Sequence, residues 1–192
     1  MDFTHPLVLD FDLSDGFCKS GKVSPLPRHL SDMASQFADG EAVKALLDAD
    51  PLLYAFYGLP VPEKDGALSY GTTILYPGQV GGEYYMTKGH FHTRLDTAEV
   101  YYTLSGQGMM VMETPEGDTD VKALRPGDAL YVPGRWAHRS VNTGTEPLVM
   151  FFAYPADAGH DYGTIESKGF RKLVVCRDGR PAVIDNPRWK KG

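Results

Sequence analysis

Cysteine is nearly missing from this chain, with two among 192 residues. Cys18 and Cys176 lie far apart and form no CxxC pair, which excludes a disulfide framework. Two separate thiols in a reducing cytosol are the expectation; a Cys18–Cys176 disulfide stays open for a hyperthermophile's chain. No apolar run approaches the roughly 20 residues that span a bilayer, so no membrane role is expected. A basic excess is absent too: 19 Lys and Arg face 25 Asp and Glu, for a net charge of −6. General nucleic-acid binding needs a basic face for counterion release and is not expected. A small anionic substrate needs only a few local donors and fits that charge. The opening Met1-Asp2-Phe3-Thr4-His5-Pro6 has no basic stretch followed by an apolar one. No targeting signal is read there, and the expected location is the cytoplasm. No repeat, low-complexity tract or shift of composition marks a second domain.

What is present is a globular composition with much punctuation. Hydrophobic residues make up 42% and charged residues 23%, which argues against disorder. The 21 Gly and 14 Pro suit many short strands joined by tight turns. Leu7 to Leu13 alternates loosely and reads as a first strand, which Pro25-Leu26-Pro27 interrupts. Ser31 or Asp32 reads as the cap of a short helix through Phe37, with Leu30, Met33, Ala34 and Phe37 on its apolar side. A second helix is predicted from Gly40 to Leu47, ended by Asp50-Pro51. Tyr54, Phe56 and Tyr57 sit in a run that reads as a strand.

From Tyr70 onward, strand-like runs alternate with turn signals such as Pro77-Gly78, Gly81-Gly82, Gly106-Gln107-Gly108 and Pro126-Gly127-Asp128. That spacing predicts an antiparallel sandwich or barrel, not βαβ units. Met109-Met110-Val111-Met112 and Leu148 to Tyr154 read as core strands. A last hairpin pairs Leu173-Val174-Val175 with Ala182-Val183-Ile184 across Asp178-Gly179. The predicted class is all-β with short N-terminal helices.

The chemistry is concentrated between Lys88 and His138. On an extended chain, residues two apart share a face, so His90 and His92 project together, as do Glu99 and Tyr101. His138 follows a Pro-Gly turn at the start of an apolar strand. Three imidazoles and one carboxylate converging on a point would make a site for a divalent transition metal. His5 and His29 belong to no such group and read as surface residues.

These residues carry a resemblance. Gly89, His90, His92, Glu99, Tyr101 and Gly106 resemble the first cupin motif, and Pro126-Gly127-Asp128, Pro133, His138 and Asn142 resemble the second. The resemblance implies a cupin double-stranded β-helix, or jelly-roll barrel, with His90, His92, Glu99 and His138 as metal ligands. Further runs are similar to the cupin-type glucose-6-phosphate isomerases of archaea. They include Lys88-Gly89-His90-Phe91-His92, Trp136-Ala137-His138-Arg139, Tyr154 to Ile165, Asp185-Asn186-Pro187-Arg188-Trp189 and Leu30-Ser31-Asp32-Met33. By that likeness 1–192 is a single cupin domain. Residues 1–60 would be an N-terminal extension with short helices, 66–155 the barrel core with both motifs, and 156–192 a segment packing on the barrel.

The family likeness implies a metal-dependent aldose–ketose isomerase interconverting glucose 6-phosphate and fructose 6-phosphate through a cis-enediol, in glycolysis and gluconeogenesis. Glu99 would be both ligand and proton carrier. A metal-bound carboxylate is a poor base, so the two roles agree only if Glu99 loosens when sugar oxygens bind. Tyr54, Thr73, Thr87 and Gly89 match positions that bind the phosphosugar, and Tyr101 shares the inward face with Glu99. His160 would assist ring opening if the chain end folds over the barrel mouth, with Tyr162 beside it. One divalent ion per subunit is implied, Fe²⁺ by likeness, while His₃Glu also suits Zn²⁺, Mn²⁺, Ni²⁺ or Co²⁺. A homodimer is expected. Mannose 6-phosphate as a further substrate stays open. Two other classes remain: a cupin dioxygenase with the same ligand set, and a non-catalytic sugar-binding cupin.

Overall fold

The computed structural model describes residues 2–12, 15–19 and 23–190. Its strands in chain order are β1 (Leu26–His29), β2 (Leu52–Gly58), β3 (Leu68–Leu75), β4 (Gln79–Val80), β5 (Glu83–Tyr84) and β6 (Glu99–Ser105). They continue as β7 (Gly108–Glu113), β8 (Thr119–Leu124), β9 (Ala129–Val132), β10 (Ala137–Asn142) and β11 (Leu148–Pro155). The last two are β12 (Lys172–Arg177) and β13 (Arg180–Asp185). One sheet has the order β1-β2-β3-β11-β6-β9, a second β10-β7-β8, and a third β13-β12-β5-β4. The stretch after β5 runs beside β10 and links the last two sheets: Asn142 N–H donates to Tyr85 O (3.0 Å) and Thr87 N–H to Ser140 O (2.9 Å). The fold is the all-β cupin barrel that the sequence predicts.

Alternation sets the inner face. Along β6 Glu99, Tyr101 and Thr103 are buried while Val100 and Tyr102 are exposed. Thr103, Met150, Thr73 and Phe56 fall in one cross-strand register row of β6, β11, β3 and β2. The methionine run lies in β7, with Met110 and Met112 buried in the core. In the final hairpin Leu173 pairs with Ile184 and Val174 with Val183, as the sequence predicts. Asp178 (φ 51°) and Gly179 (φ 72°) supply the left-handed turn that a two-residue hairpin loop requires.

The N-terminal part departs from the sequence reading in three places. Between Leu7 and Asp12 no strand forms; an isolated bridge joins Phe11 to Cys18 instead. Leu13, the end of that predicted strand, lies outside the described residues. The Pro25-Leu26-Pro27 stretch, read as a break, enters β1. Pro27 pairs with Ala55 at the edge of the large sheet, where a missing N–H costs no ladder bond. The first helix is a 3-10 turn over Leu30–Gln36, capped by His29, whose N–H donates to Asp32 Oδ2 (2.9 Å). His29 is therefore not a bare surface residue: it is half-buried, and Nδ1 donates to Asp50 O at 2.9 Å. Helix α1 (Gly40–Leu46) forms where the spacing predicts it, with Asp39 accepting from Glu41 and Ala42 N–H. Helix α2 (Tyr162–Lys168) has no counterpart in the sequence reading. Neither Cys18 nor Cys176 is in a disulfide.

Candidate active site and metal centre

Backbone pairing, not chain proximity, brings the histidines together. His90 N–H donates to His138 O (3.4 Å) and His138 N–H to His90 O (3.2 Å), an antiparallel bridge outside the named strands. Gly89 allows that approach. It sits at φ +72°, and a Cβ there would meet the Phe170 ring at 2.5 Å. His92 follows on the same face. Glu99 opens β6 opposite Val132 and points inward. One candidate ligand atom each from His90, His92, Glu99 and His138 then lies within 4.8 Å of the others.

The hydrogen bonds behind the rings fix which nitrogen faces the site. His92 Nδ1 lies 3.0 Å from Thr97 O, and His138 Nδ1 lies 3.2 Å from Trp136 O. A carbonyl only accepts, so each Nδ1 carries a proton and each ring turns its Nε2 inward. His92 Nε2 is 3.2 Å and His138 Nε2 2.9 Å from the same oxygen, Glu99 Oε2. The His138 contact is close yet lacks the alignment of a hydrogen bond, so its Nε2 counts as buried without a partner. His90 is half-buried as a residue, but its Nε2 is sealed and likewise unpartnered. Three imidazole nitrogens and one carboxylate turned onto a common point, two of the nitrogens without a hydrogen-bond partner, are a donor set that a cation satisfies. Donor atoms roughly 2.1 Å from one ion lie at most about 4.2 Å apart, so a few tenths of an ångström of closure suffices. The residues fit a divalent metal.

Electrostatics agree. Burial pushes the Glu99 carboxyl up, but His138 and His92 outweigh it and hold the group well below the usual carboxylate range. Burial, helped by His138 and His160, drives the His90 imidazole well down. Tyr101 is pushed well up by burial and by the Glu99 charge, so it stays a neutral donor.

A cavity of ≈ 170 Å³ opens on this cluster. Its lining includes Tyr54, Thr73, Thr87, Gly89, Tyr101 and Tyr162, the substrate positions expected from sequence. His160 lines it as well, together with His90, Glu99 and His138. His92 stands behind them and does not reach the wall. The His160 ring packs 4.4 Å from His90 and stacks on Tyr162 at 5.7 Å and 9°, while the residue keeps an open side to solvent. Partial burial lowers its pKa; burial pushes Tyr162 up to about 12. Both are carried in by α2 and the turn before it, where Asp161 caps the helix by accepting from Thr164 N–H (3.1 Å).

Sequence reasoning missed several wall residues. Lys88 is the one Lys or Arg of the lining among the described residues, and its Nζ is paired with Glu166 of α2. It lies between Thr87 and Gly89, both singled out, so the signal was there. Phe56, Phe152 and Tyr154 also line the cavity. Phe56 follows from sharing a strand face with Tyr54; Tyr154 carries no local signal.

Comparison with known proteins places these residues in context. Residues 27–188 match the family model described as glucose-6-phosphate isomerase (GPI). The glucose-6-phosphate isomerase of Thermococcus kodakarensis is 49% identical over 191 residues, covering 100% of both chains. That of Pyrococcus furiosus is 49% identical over 190 residues, covering 98% of this chain and 100% of its own. A solved oxalate oxidase overlaps 61% of this chain and 58% of its own at 17% identity, with a TM-score of 0.49.

Proposed function

The chain belongs to the glucose-6-phosphate isomerase family, and from that premise we propose a metal-dependent aldose–ketose isomerase acting through a cis-enediol. The observation that carries this reading is one cavity that opens on the His₃Glu cluster and is walled by hydroxyls with a single ammonium. His90, His92, Glu99 and His138 would hold one divalent ion, iron(II) by preference. When bound, that ion supplies Lewis acidity toward the substrate's carbonyl and hydroxyl oxygens.

The protein's own groups do the rest. Thr73, Thr87, the Gly89 backbone and Tyr54 hold the phosphate, and the Lys88 ammonium supplies the positive charge a phosphate dianion needs. Tyr54 Oη already accepts from Lys88 N–H at 3.4 Å, which ties these contacts together. His160, neutral near pH 7, exchanges a proton at the ring oxygen to open the sugar, and Tyr162 keeps its ring in place. Glu99 moves the proton between C1 and C2, with basicity that rises as its carboxylate is released from the histidines. Tyr101 donates to the developing enediol oxygens. The role fits a place in glycolysis and gluconeogenesis in the cytoplasm. The exposed Val100, Tyr102 and Tyr131 on the outer face of the large sheet support a homodimer.

Cobalt(II) titration tests the geometry directly. Metal-free protein should take up one ion per chain with saturable visible d–d bands. Fructose 6-phosphate should shift those bands. Bands that ignore the substrate would separate the metal from the sugar and contradict the reading.

A further inference from the structure

A second cavity, of ≈ 520 Å³, opens between the 3-10 turn, α2 and the C-terminal tail. Its charged lining is Arg139, Lys168, Arg188 and Lys190 against Glu166, in a chain whose net charge is −6. Two of these are already matched: Lys168 Nζ pairs with Glu113 Oε1 at 2.7 Å, and Glu166 pairs with Lys88. The other three keep unused donors. Arg139 is 3% exposed, and its Nε is buried with no partner. Arg188 spends two donors on Phe37 O (2.6 Å) and Ser35 O (3.4 Å), leaving the remainder of its guanidinium. The Lys190 ammonium has no ion-pair partner among the described residues. The buried Glu83 carboxylate faces both Arg139 and Arg188. One carboxylate against two guanidiniums and the Lys190 ammonium still leaves cationic donors over around the hollow, which favours a ligand with several charged acceptor oxygens.

This cavity shares a wall with the catalytic one. Glu166 lines the second cavity while its partner Lys88 lines the first. Arg139 Nη2 donates to Lys88 O at 2.7 Å, and its guanidinium lies 4.6 Å over the Phe170 ring that packs against Gly89. Glu166 and Arg139 thus both touch Lys88 from the side of the second cavity.

We propose that the second cavity binds a small oxyanion, inorganic phosphate or a phosphate monoester, and that its occupant tunes sugar-phosphate binding through Lys88. The binding site stands on its own; the coupling rests on Lys88 as a phosphate contact. An anion in the cavity repels the Glu166 carboxylate and presses it onto Lys88, which then serves the sugar phosphate less well. KM for the sugar phosphate rises and kcat is unchanged.

The two tryptophans give separate reporters. Trp189 lines the second cavity, and the Trp136 carbonyl accepts from His138 beside the metal site. The indole N–H resonances of ¹⁵N-labelled protein would be followed during titration with inorganic phosphate, and in a second arm with glycerol 3-phosphate. Trp189 should shift saturably. Lys190→Glu should weaken that response about fivefold or more while leaving the Trp136 response alone. The arm with the tighter response identifies the free ion or the ester. A Trp189 signal that stays put, or that titrates equally in Lys190→Glu, overturns the site. In steady-state kinetics, the slope against phosphate should depart from a straight line in the native protein and straighten in Lys190→Glu. Straight lines in both remove the coupling. A protein without isomerase activity whose Trp189 still responds would locate the failure in the functional reading instead.

Discussion

At the scale of single residues, the candidate site depends on atoms that lack partners in the protein alone. His92 and His138 each give Nδ1–H to a carbonyl and turn Nε2 toward Glu99. Such outer hydrogen bonds orient the ligands of a metal site. The candidate ligand positions were legible in part from alternation, which puts His90 with His92 and Glu99 with Tyr101, while His138 joined them through the cupin resemblance. Lys88 was passed over because its neighbours Thr87 and Gly89 drew the phosphate role. Lys88→Met is expected to raise KM for fructose 6-phosphate about tenfold with little change in kcat, since it removes one charge-assisted contact. An unchanged KM would put the phosphate elsewhere. For His160→Ala, turnover of the cyclic sugar phosphate should fall on the order of 100-fold while bound metal, measured by elemental analysis, stays at one per chain. Undiminished turnover would end the ring-opening role.

At the scale of elements, strand periodicity was readable and the connections were not. The hairpin of β12 and β13 follows from its alternation and its Asp-Gly turn. β1 does not, because two prolines in three residues, Pro25-Leu26-Pro27, look like a break unless the strand is known to lie at an edge. Helix α2 was missed although Asp161 and Thr164 form its cap, because the run from Tyr154 read only as a chain end. That helix carries the mouth of the site. Asp161→Ala removes its acceptors for Thr164 N–H and Oγ1 (2.6 Å). It should cost about 1 kcal/mol in denaturant unfolding and lower activity by displacing His160 and Tyr162. A variant as stable as the parent would show that the cap is dispensable. The end of α2 is held by charge: Glu113, fully buried, accepts from Lys168 Nζ, Arg171 N–H and Trp189 Nε1. Lys168→Met strips a buried carboxylate of its counterion and should destabilise the fold by roughly 3 kcal/mol. Urea midpoints of the two proteins decide it.

At the scale of the whole molecule, what could not be read from sequence is the joining of distant parts. Residues near Tyr54, near His90, at Glu99, at His138 and at His160 come from separate stretches of the chain. They meet because the large sheet and the β10 sheet face each other, and because the segment after β5 runs along β10. A family likeness foretold the result; periodicity by itself could not place His160 over His90. The same closing of the barrel leaves one ammonium in a small cavity on an acidic protein, which suits a phosphate-bearing ligand that arrives one at a time. No helix among the described residues is long and apolar enough to cross a membrane. The most direct measurement is a coupled assay of fructose 6-phosphate conversion to glucose 6-phosphate, on protein as isolated, after chelation, and after anaerobic return of each divalent metal. The account predicts turnover that chelation abolishes and iron(II) or a related ion restores, without oxygen consumption. Full activity in thoroughly metal-free protein, or none with any metal, would contradict it.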